Sequence, residues 1–243
     1  MGLSVVVFFP LISAFIITLI PKAQEQLIKG FALVSSLITF VLSAVLLFQF
    51  DFSSADKLQL GNKISWIKSI NANYEIGIDG ISLPLLVLST FITVLAIIYS
   101  IEHLPEPKSP KGFLALILVL ETGMNGTFVA LDLILFFVFF EIVLLPMYFM
   151  IGIWGDKTVR TVSGFKNQIE TRLYASIKFF VFTLFGSAFM LLGFLGLYYR
   201  GNKTFSIPEL IELGTSGAFT GTFATLVFAV LFLGFAVKVP MWP

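Results

Sequence analysis

The sequence predicts an all-α polytopic membrane protein with about seven transmembrane helices. Three observations carry this expectation. Of 243 residues, 58% are hydrophobic and only 12% charged, and the mean hydropathy is +1.00. An ordinary soluble domain is about 45–50% apolar and about 25% charged. The charges cluster between long uncharged runs, and those runs reach the roughly 20 residues needed to cross about 30 Å of hydrocarbon.

The expected spans are roughly 3–20, 28–50, 76–101, 112–131, 133–154, 173–199 and 217–239, forming a single membrane domain over 1–243. They are too long and too uniformly apolar for strands of a membrane barrel, which are short and alternate. A helix satisfies its own backbone hydrogen bonds, as lipid demands. The first run has no Lys or Arg before it and is long enough to span, so it reads as a helix and not as a cleavable signal.

The punctuation follows the same plan. Pro21-Lys22 stops the first run, and polar residues fill 51–75, the longest loop. Residues 102–111 hold three prolines and read as a non-helical turn. Only Asp132 and a few small residues separate the fourth and fifth spans, so that turn is tight. A polar stretch covers 155–170. Within 201–214, Ser206 as N-cap with Pro208 and Glu209 in the first turn predicts a short interfacial helix.

Short-loop charges set the expected orientation. The first, third and fifth loops hold Lys22, Lys29, Lys108, Lys111, Lys157, Arg160, Lys166 and Arg172. The second, fourth and sixth hold Lys57, Lys63, Lys68, Arg200 and Lys203. The odd loops are therefore expected on the cytoplasmic-type side, with the N-terminus outside.

A net charge of +1 offers no field for nucleic acid. The chain has no cysteine, which removes disulfides, thiolate metal sites, iron–sulfur ligation and cysteine nucleophiles. The single His103 cannot build a multi-histidine metal site.

Ionisable groups inside the spans are the informative residues. A charge at the bilayer centre costs at least about 2.5–3.5 kcal/mol on insertion scales, so such groups are rare and usually functional. Glu141 lies deep in the fifth span, among phenylalanines, with Pro146 expected to kink the helix after it. It is a candidate proton carrier or half of a buried ion pair; the alternative is a neutral Glu bonded to a neighbouring helix. Glu121, mid-span among Thr122, Gly123, Asn125 and Gly126, reads equally as a functional or a packing residue. Lys178 is either functional or a snorkelling lysine near a helix start. Lys238 follows about twenty uncharged residues and precedes Pro240 and Pro243. Prolines there predict a broken helix, and broken helices at membrane depth line cavities and ion sites. Together these groups predict a proton or ion pathway pairing buried carboxylate with buried lysine.

The run Leu131-Asp132-Leu133-Ile134-Leu135-Phe136-Phe137-Val138-Phe139-Phe140-Glu141-Ile142-Val143-Leu144-Leu145-Pro146-Met147-Tyr148, followed by Trp154-Gly155, resembles the antiporter-like subunit 4 (chain M) family of proton-pumping NADH:quinone oxidoreductase, respiratory complex I. So do Ile76-Gly77-Ile78-Asp79-Gly80-Ile81-Ser82, Lys178-Phe179-Phe180 and Lys238-Val239-Pro240-Met241-Trp242-Pro243. The resemblance implies that Glu141 and Lys238 are the fifth-helix glutamate and seventh-helix lysine, which couple electrostatically in a first half-channel. Lys178 matches a lysine of the family's sixth helix, and Glu121 and Lys178 are supporting candidates for proton translocation beside that pair. It implies proton translocation coupled to electron transfer elsewhere in the complex. NADH, FMN, iron–sulfur clusters and quinone then belong to other subunits, and this chain binds none of them. The implied partners are other membrane subunits, especially neighbouring antiporter-like ones, and lipid. The implied location is a bacterial inner membrane, with mitochondrial inner and thylakoid membranes as alternatives. Subunits of sodium/proton antiporters and membrane-bound hydrogenases are the close alternatives, and a non-transporting helix bundle the distant one. Members of the family have about fourteen helices, so this sequence is expected to be the first half of that fold, ending within a broken seventh helix. No complete proton path is then expected through it alone.

Overall fold

In lipid an extended chain would strand its backbone N–H and C=O groups, so each long apolar run closes into a helix. The computed structural model describes residues 2–160 and 169–241. Lys166 of the fifth loop, and Trp242 and Pro243 of the expected helix break, lie outside the described residues, as does the Arg160 side chain. The helices are α1 (Gly2–Leu19), α2 (Glu25–Gln49), α3 (Ser82–Glu102), α4 (Pro110–Val129), α5 (Leu133–Ile142), α6 (Leu144–Trp154), α7 (Thr171–Arg200), α8 (Ile207–Thr215) and α9 (Gly221–Lys238). Among the described residues, seven segments are long and apolar enough to cross a membrane, with α5 and α6 together forming the fifth. The chain is an integral, multi-pass membrane protein. Its outer surface agrees: Phe15, Phe48, Phe185 and Phe228 are 64%, 89%, 60% and 69% exposed. Such a surface needs hydrocarbon around it.

The interior is more polar than that surface. Ser35, Ser36, Thr39 and Ser43 on α2 and Thr90 and Thr93 on α3 are all buried. Ser43 and Thr90 share a hydroxyl–hydroxyl bond of 2.7 Å. Small polar residues let helices approach closely where lipid provides no hydrophobic drive between them.

Two strands depart from the all-helical expectation. β1 (Gln59–Ile67) and β2 (Ala72–Ile78) form an antiparallel hairpin inside the longest loop. The helix expected from residue 76 therefore begins at Ser82. Ile76 and Ile78 are buried strand residues, and Ile76 pairs with Asn62 and Ile78 with Gln59 of β1. The Asp79 carboxylate then accepts from the N–H groups of Ile81 and Ser82, and the Ser82 hydroxyl accepts from the Asp79 N–H. This reciprocal arrangement starts α3. The proline-rich turn ends earlier than expected as well, because Pro110 and Lys111 already belong to α4. Proline at the first helical position loses no internal bond. A two-residue ladder, β3 (Val159–Arg160) with β4 (Ile169–Glu170), closes the fifth loop.

The tight turn between the fourth and fifth spans lies on this hairpin. The Leu131 N–H donates to the Glu75 carbonyl at 2.8 Å. On its other side, Leu133 N–H donates to Phe205 O and Ile207 N–H to Leu131 O. Ala130–Asp132 thus bridges the hairpin and the segment before α8. At its centre Asp132 is fully buried. Its carboxylate caps α5 through Ile134 and Leu135 N–H and also accepts from Asn73 N–H.

The short helix expected after Ser206 is present as α8, but the Ser206 hydroxyl makes no capping bond. Glu209 does the tying instead. It accepts from Thr204 at 2.6 Å and from Lys63 of the hairpin at 2.8 Å, and Lys63 also pairs with Glu75 at 3.2 Å. The Lys63 bond holds the Glu209 carboxyl below the usual carboxylate range. A lowered pKa contributes stability above the unfolded value, lost as pH falls through the folded one. Wild type is therefore expected to exceed Glu209→Gln in thermal stability by a few tenths of a kcal/mol at neutral pH, since both partners are about half exposed. That difference should close as the medium is acidified below the ordinary value of 4.5. A difference that persists unchanged in acid would contradict the pairing.

Two glycines set helix approach. A Cβ at Gly126 would lie 2.2 Å from the Phe139 ring, and one at Gly234 would lie 2.9 Å from Met190 Cβ. Gly126→Val should destabilise the protein by about 2 kcal/mol or more through overpacking, seen as a lower unfolding temperature in detergent. An unchanged temperature would mean that α4 and α5 pack otherwise.

Candidate functional site

The fifth span breaks where its sequence requires. Pro146 has no N–H for the carbonyl four residues back, at Ile142, and α5 stops at that residue. Val143 is the single non-helical residue before α6. The helical hydrogen-bond pattern is thus interrupted by a turn three residues upstream of the proline, although Val143 keeps helical backbone angles. Glu141 is the penultimate residue of α5, so its carboxyl sits beside the break.

Glu141 faces α7. The Ser187 hydroxyl donates to Glu141 Oε1 at 2.5 Å and also lies 3.0 Å from the Thr183 carbonyl. Ser187 is fully within the bundle, and Glu141 is half-buried. Lys238, the last residue of α9, approaches the same helix. Its ammonium donates to the Phe140 carbonyl at 3.3 Å and lies 4.2 Å from the centre of the Phe140 ring. Phe140 stacks on Phe136 and meets Phe235 edge-on. A cation over an aromatic face gains electrostatically, the more so when it is shielded from water.

Glu141 and Lys238 are thus brought to one seam between α5, α7 and α9, with Phe140 between them. They do not form the direct contact that the sequence suggests. Among the described residues, no ion pair within 4.0 Å joins them. Instead the Phe140 carbonyl accepts from the ammonium, and the Ser187 hydroxyl donates to the carboxylate.

The other two candidates lie apart. Glu121 on α4 is fully buried, and neither carboxyl oxygen has a hydrogen-bond partner. Asn125, one turn on, donates weakly to the Val6 carbonyl of α1 at 3.4 Å, and its own oxygen is unpartnered. A carboxyl so placed costs several kcal/mol unless it carries a proton or meets water. Lys178 is exposed on α7, its ammonium 5.7 Å from the Tyr174 ring centre. Nine residues separate it from Ser187, about 13 Å along the axis, so it stands clear of the Glu141 seam.

Ser187 was not among the expected site residues. Its signal lies in the sequence as spacing: Thr183, Gly186, Ser187, Met190 and Gly193 recur at helical intervals on one buried face, and four of the five are small. The seam holds a carboxyl, a hydroxyl bonded to it and an ammonium set over an aromatic ring, all beside the turn at Val143. Among the described residues, no group of three His, Cys, Asp or Glu could hold a metal ion.

Comparison with known proteins gives the family. Residues 5–127 match the model described as NADH-ubiquinone oxidoreductase chain 4, amino terminus. Residues 130–243 match NADH:quinone oxidoreductase/Mrp antiporter, TM. The chain is 35% identical over 243 residues to NAD(P)H-quinone oxidoreductase chain 4 of Gloeobacter violaceus, covering 99% of this chain and 42% of that protein. It is 35% identical over 250 residues to NADH-quinone oxidoreductase subunit M of Rickettsia bellii, covering 99% and 46%. A chain of respiratory complex I from Thermus thermophilus shares the fold with a TM-score of 0.77 at 24% identity, over 99% of this chain and 44% of that one. The chain spans less than half the length of the curated relatives it matches. With one family model covering its first half and a related one the remainder, the chain belongs to the family of NADH:quinone oxidoreductase chain 4, the antiporter-like membrane subunits.

Proposed function

We propose that this chain is a proton-translocating membrane subunit of an NADH:quinone oxidoreductase. Electron transfer takes place on other subunits, which carry the NADH, FMN, iron–sulfur and quinone sites. The observation that carries the reading is the Glu141–Ser187–Lys238 seam at the break of the fifth span. Glu141 holds or releases a proton according to whether the Lys238 ammonium leaves the Phe140 carbonyl and approaches it. Glu121, with Asn125, is a second buried station, and Lys178 a peripheral one. The partners are the neighbouring membrane subunits. The basic odd-numbered loops face the cytoplasm of a bacterial inner membrane, and the β-hairpin side faces out.

Lys238→Met tests this reading. In inverted membrane vesicles carrying the assembled complex, NADH-driven proton uptake should fall by roughly tenfold or more, the scale of losing one positioned proton-transfer group. Uptake at the wild-type rate would overturn the assignment. A second reading, cation/proton exchange, rests on the match over 130–243 to a family shared with Mrp antiporters. Sodium-dependent proton movement in the absence of NADH would favour it.

A further inference from the structure

A groove of about 750 Å³ opens on the outer surface between α1, α4 and α6. Its floor is Ala115 and Val119, and its walls include Phe15 and Phe149, both largely exposed. The volume lies within the range of small-molecule sites, about 300–1,000 Å³. Its length is more telling. It runs from Leu11 to Thr18 on α1 and from Gly112 to Val119 on α4, about 10 Å along each helix. That is less than one leaflet of a hydrocarbon core about 30 Å thick. A partner's transmembrane helix would need a seam across both leaflets. An acyl chain hanging from one interface needs only this.

The mouth of the groove carries cations. Thr18 is in the last turn of α1, Gly112 in the first turn of α4 and Trp154 at the end of α6, so one end of the groove meets the interface. The Trp154 indole donates to the Pro107 carbonyl at 2.9 Å, placing the ring beside Lys108. Lys111 donates to the Ile20 carbonyl at 2.7 Å, at the end of α1, and Lys22 follows two residues later, exposed. The acidic groups nearby do not cancel these. Glu106 lies 3.9 Å from Lys108 with both side chains mostly exposed, a weak pairing. Asp156 is engaged by Thr158. Glu25 begins α2 and Glu102 ends α3, and neither helix lines the groove.

We propose that this groove binds an anionic phospholipid, with an acyl chain along α4 between Phe15 and Phe149 and the headgroup phosphate at Lys22 and Lys108. Basic clusters at helix ends attract anionic headgroups, and a tryptophan belongs at that depth. The site is separate from the Glu141 seam and does not depend on the proton-transfer reading.

The test uses the assembled complex purified in mild detergent, with retained phospholipids quantified by headgroup class. Wild type should retain phosphatidylglycerol or cardiolipin at this site. Lys22→Gln/Lys108→Gln should weaken retention of the anionic class by about tenfold or more while zwitterionic lipid is unaffected. Ile12→Trp, which fills an exposed wall position, should lower retention of all classes. Unchanged anionic lipid in either variant would overturn the proposal. A photocrosslinker at Ile12 gives an independent reading on otherwise unaltered protein: a phospholipid adduct supports the site, and an adduct with another protein chain refutes it.

Discussion

Glu141→Gln in the assembled complex is expected to lower proton pumping and the electron transfer coupled to it by roughly tenfold or more, the scale of losing one positioned proton-transfer group. The substitution is nearly isosteric. Glutamine keeps the oxygen that accepts from Ser187 at 2.5 Å, so the α5–α7 contact survives. What disappears is the proton that a carboxyl can take up and release. Assembly and unfolding temperature should therefore stay near wild type while turnover falls. Ser187→Ala separates relay from packing, because it removes one hydrogen bond worth about 1 kcal/mol and should slow turnover less than Glu141→Gln. Vesicles in which Glu141→Gln acidifies as fast as wild type would sink the assignment of Glu141 as the proton carrier.

The largest structural effect is expected at Asp132. Its carboxylate satisfies three backbone N–H groups from two elements, Asn73 in β2 and Ile134 and Leu135 at the start of α5, with no exposed surface. Asp132→Ala removes a helix cap, which costs about 0.5–2 kcal/mol. It also orphans the Asn73 donor, at about 1–3 kcal/mol more. A loss near 3 kcal/mol should appear as a clear drop in the unfolding temperature of detergent-solubilised protein. Asp132→Asn retains an oxygen for the cap but turns an amide toward other donors, so it should fall between. Equal stability of the alanine variant and wild type would show that the turn is held by its neighbours alone.

The helices were legible because lipid imposes one rule on every residue of a span, and composition obeys it over twenty positions at a time. The hairpin was not legible. Ile76 and Ile78 are apolar residues adjoining an apolar run, and the strand period is visible only against the polar face of β1. Lys63 looked like a loop cation counted for orientation, yet it ties Glu75 and Glu209 from distant parts of the sequence. Glu141 and Lys238 stood out because charge in a span is costly. Their separation by Phe140 did not, because it depends on how α9 meets α5. Ser187 was hidden for the opposite reason: small hydroxyl residues are common in packed spans and announce themselves only by spacing.

The extended turn at Ala130–Asp132 has a mechanical meaning. It stitches the hairpin, the start of α5 and the strand-like entry to α8 into one hydrogen-bonded margin, like pages bound at a spine. Glu141 lies nine residues down α5 from that binding, a lever of about 13 Å. A swing of about 5° at the spine therefore carries its carboxyl roughly 1 Å. That distance is enough to break a hydrogen bond of 2.5 Å to Ser187, while the margin itself stays closed.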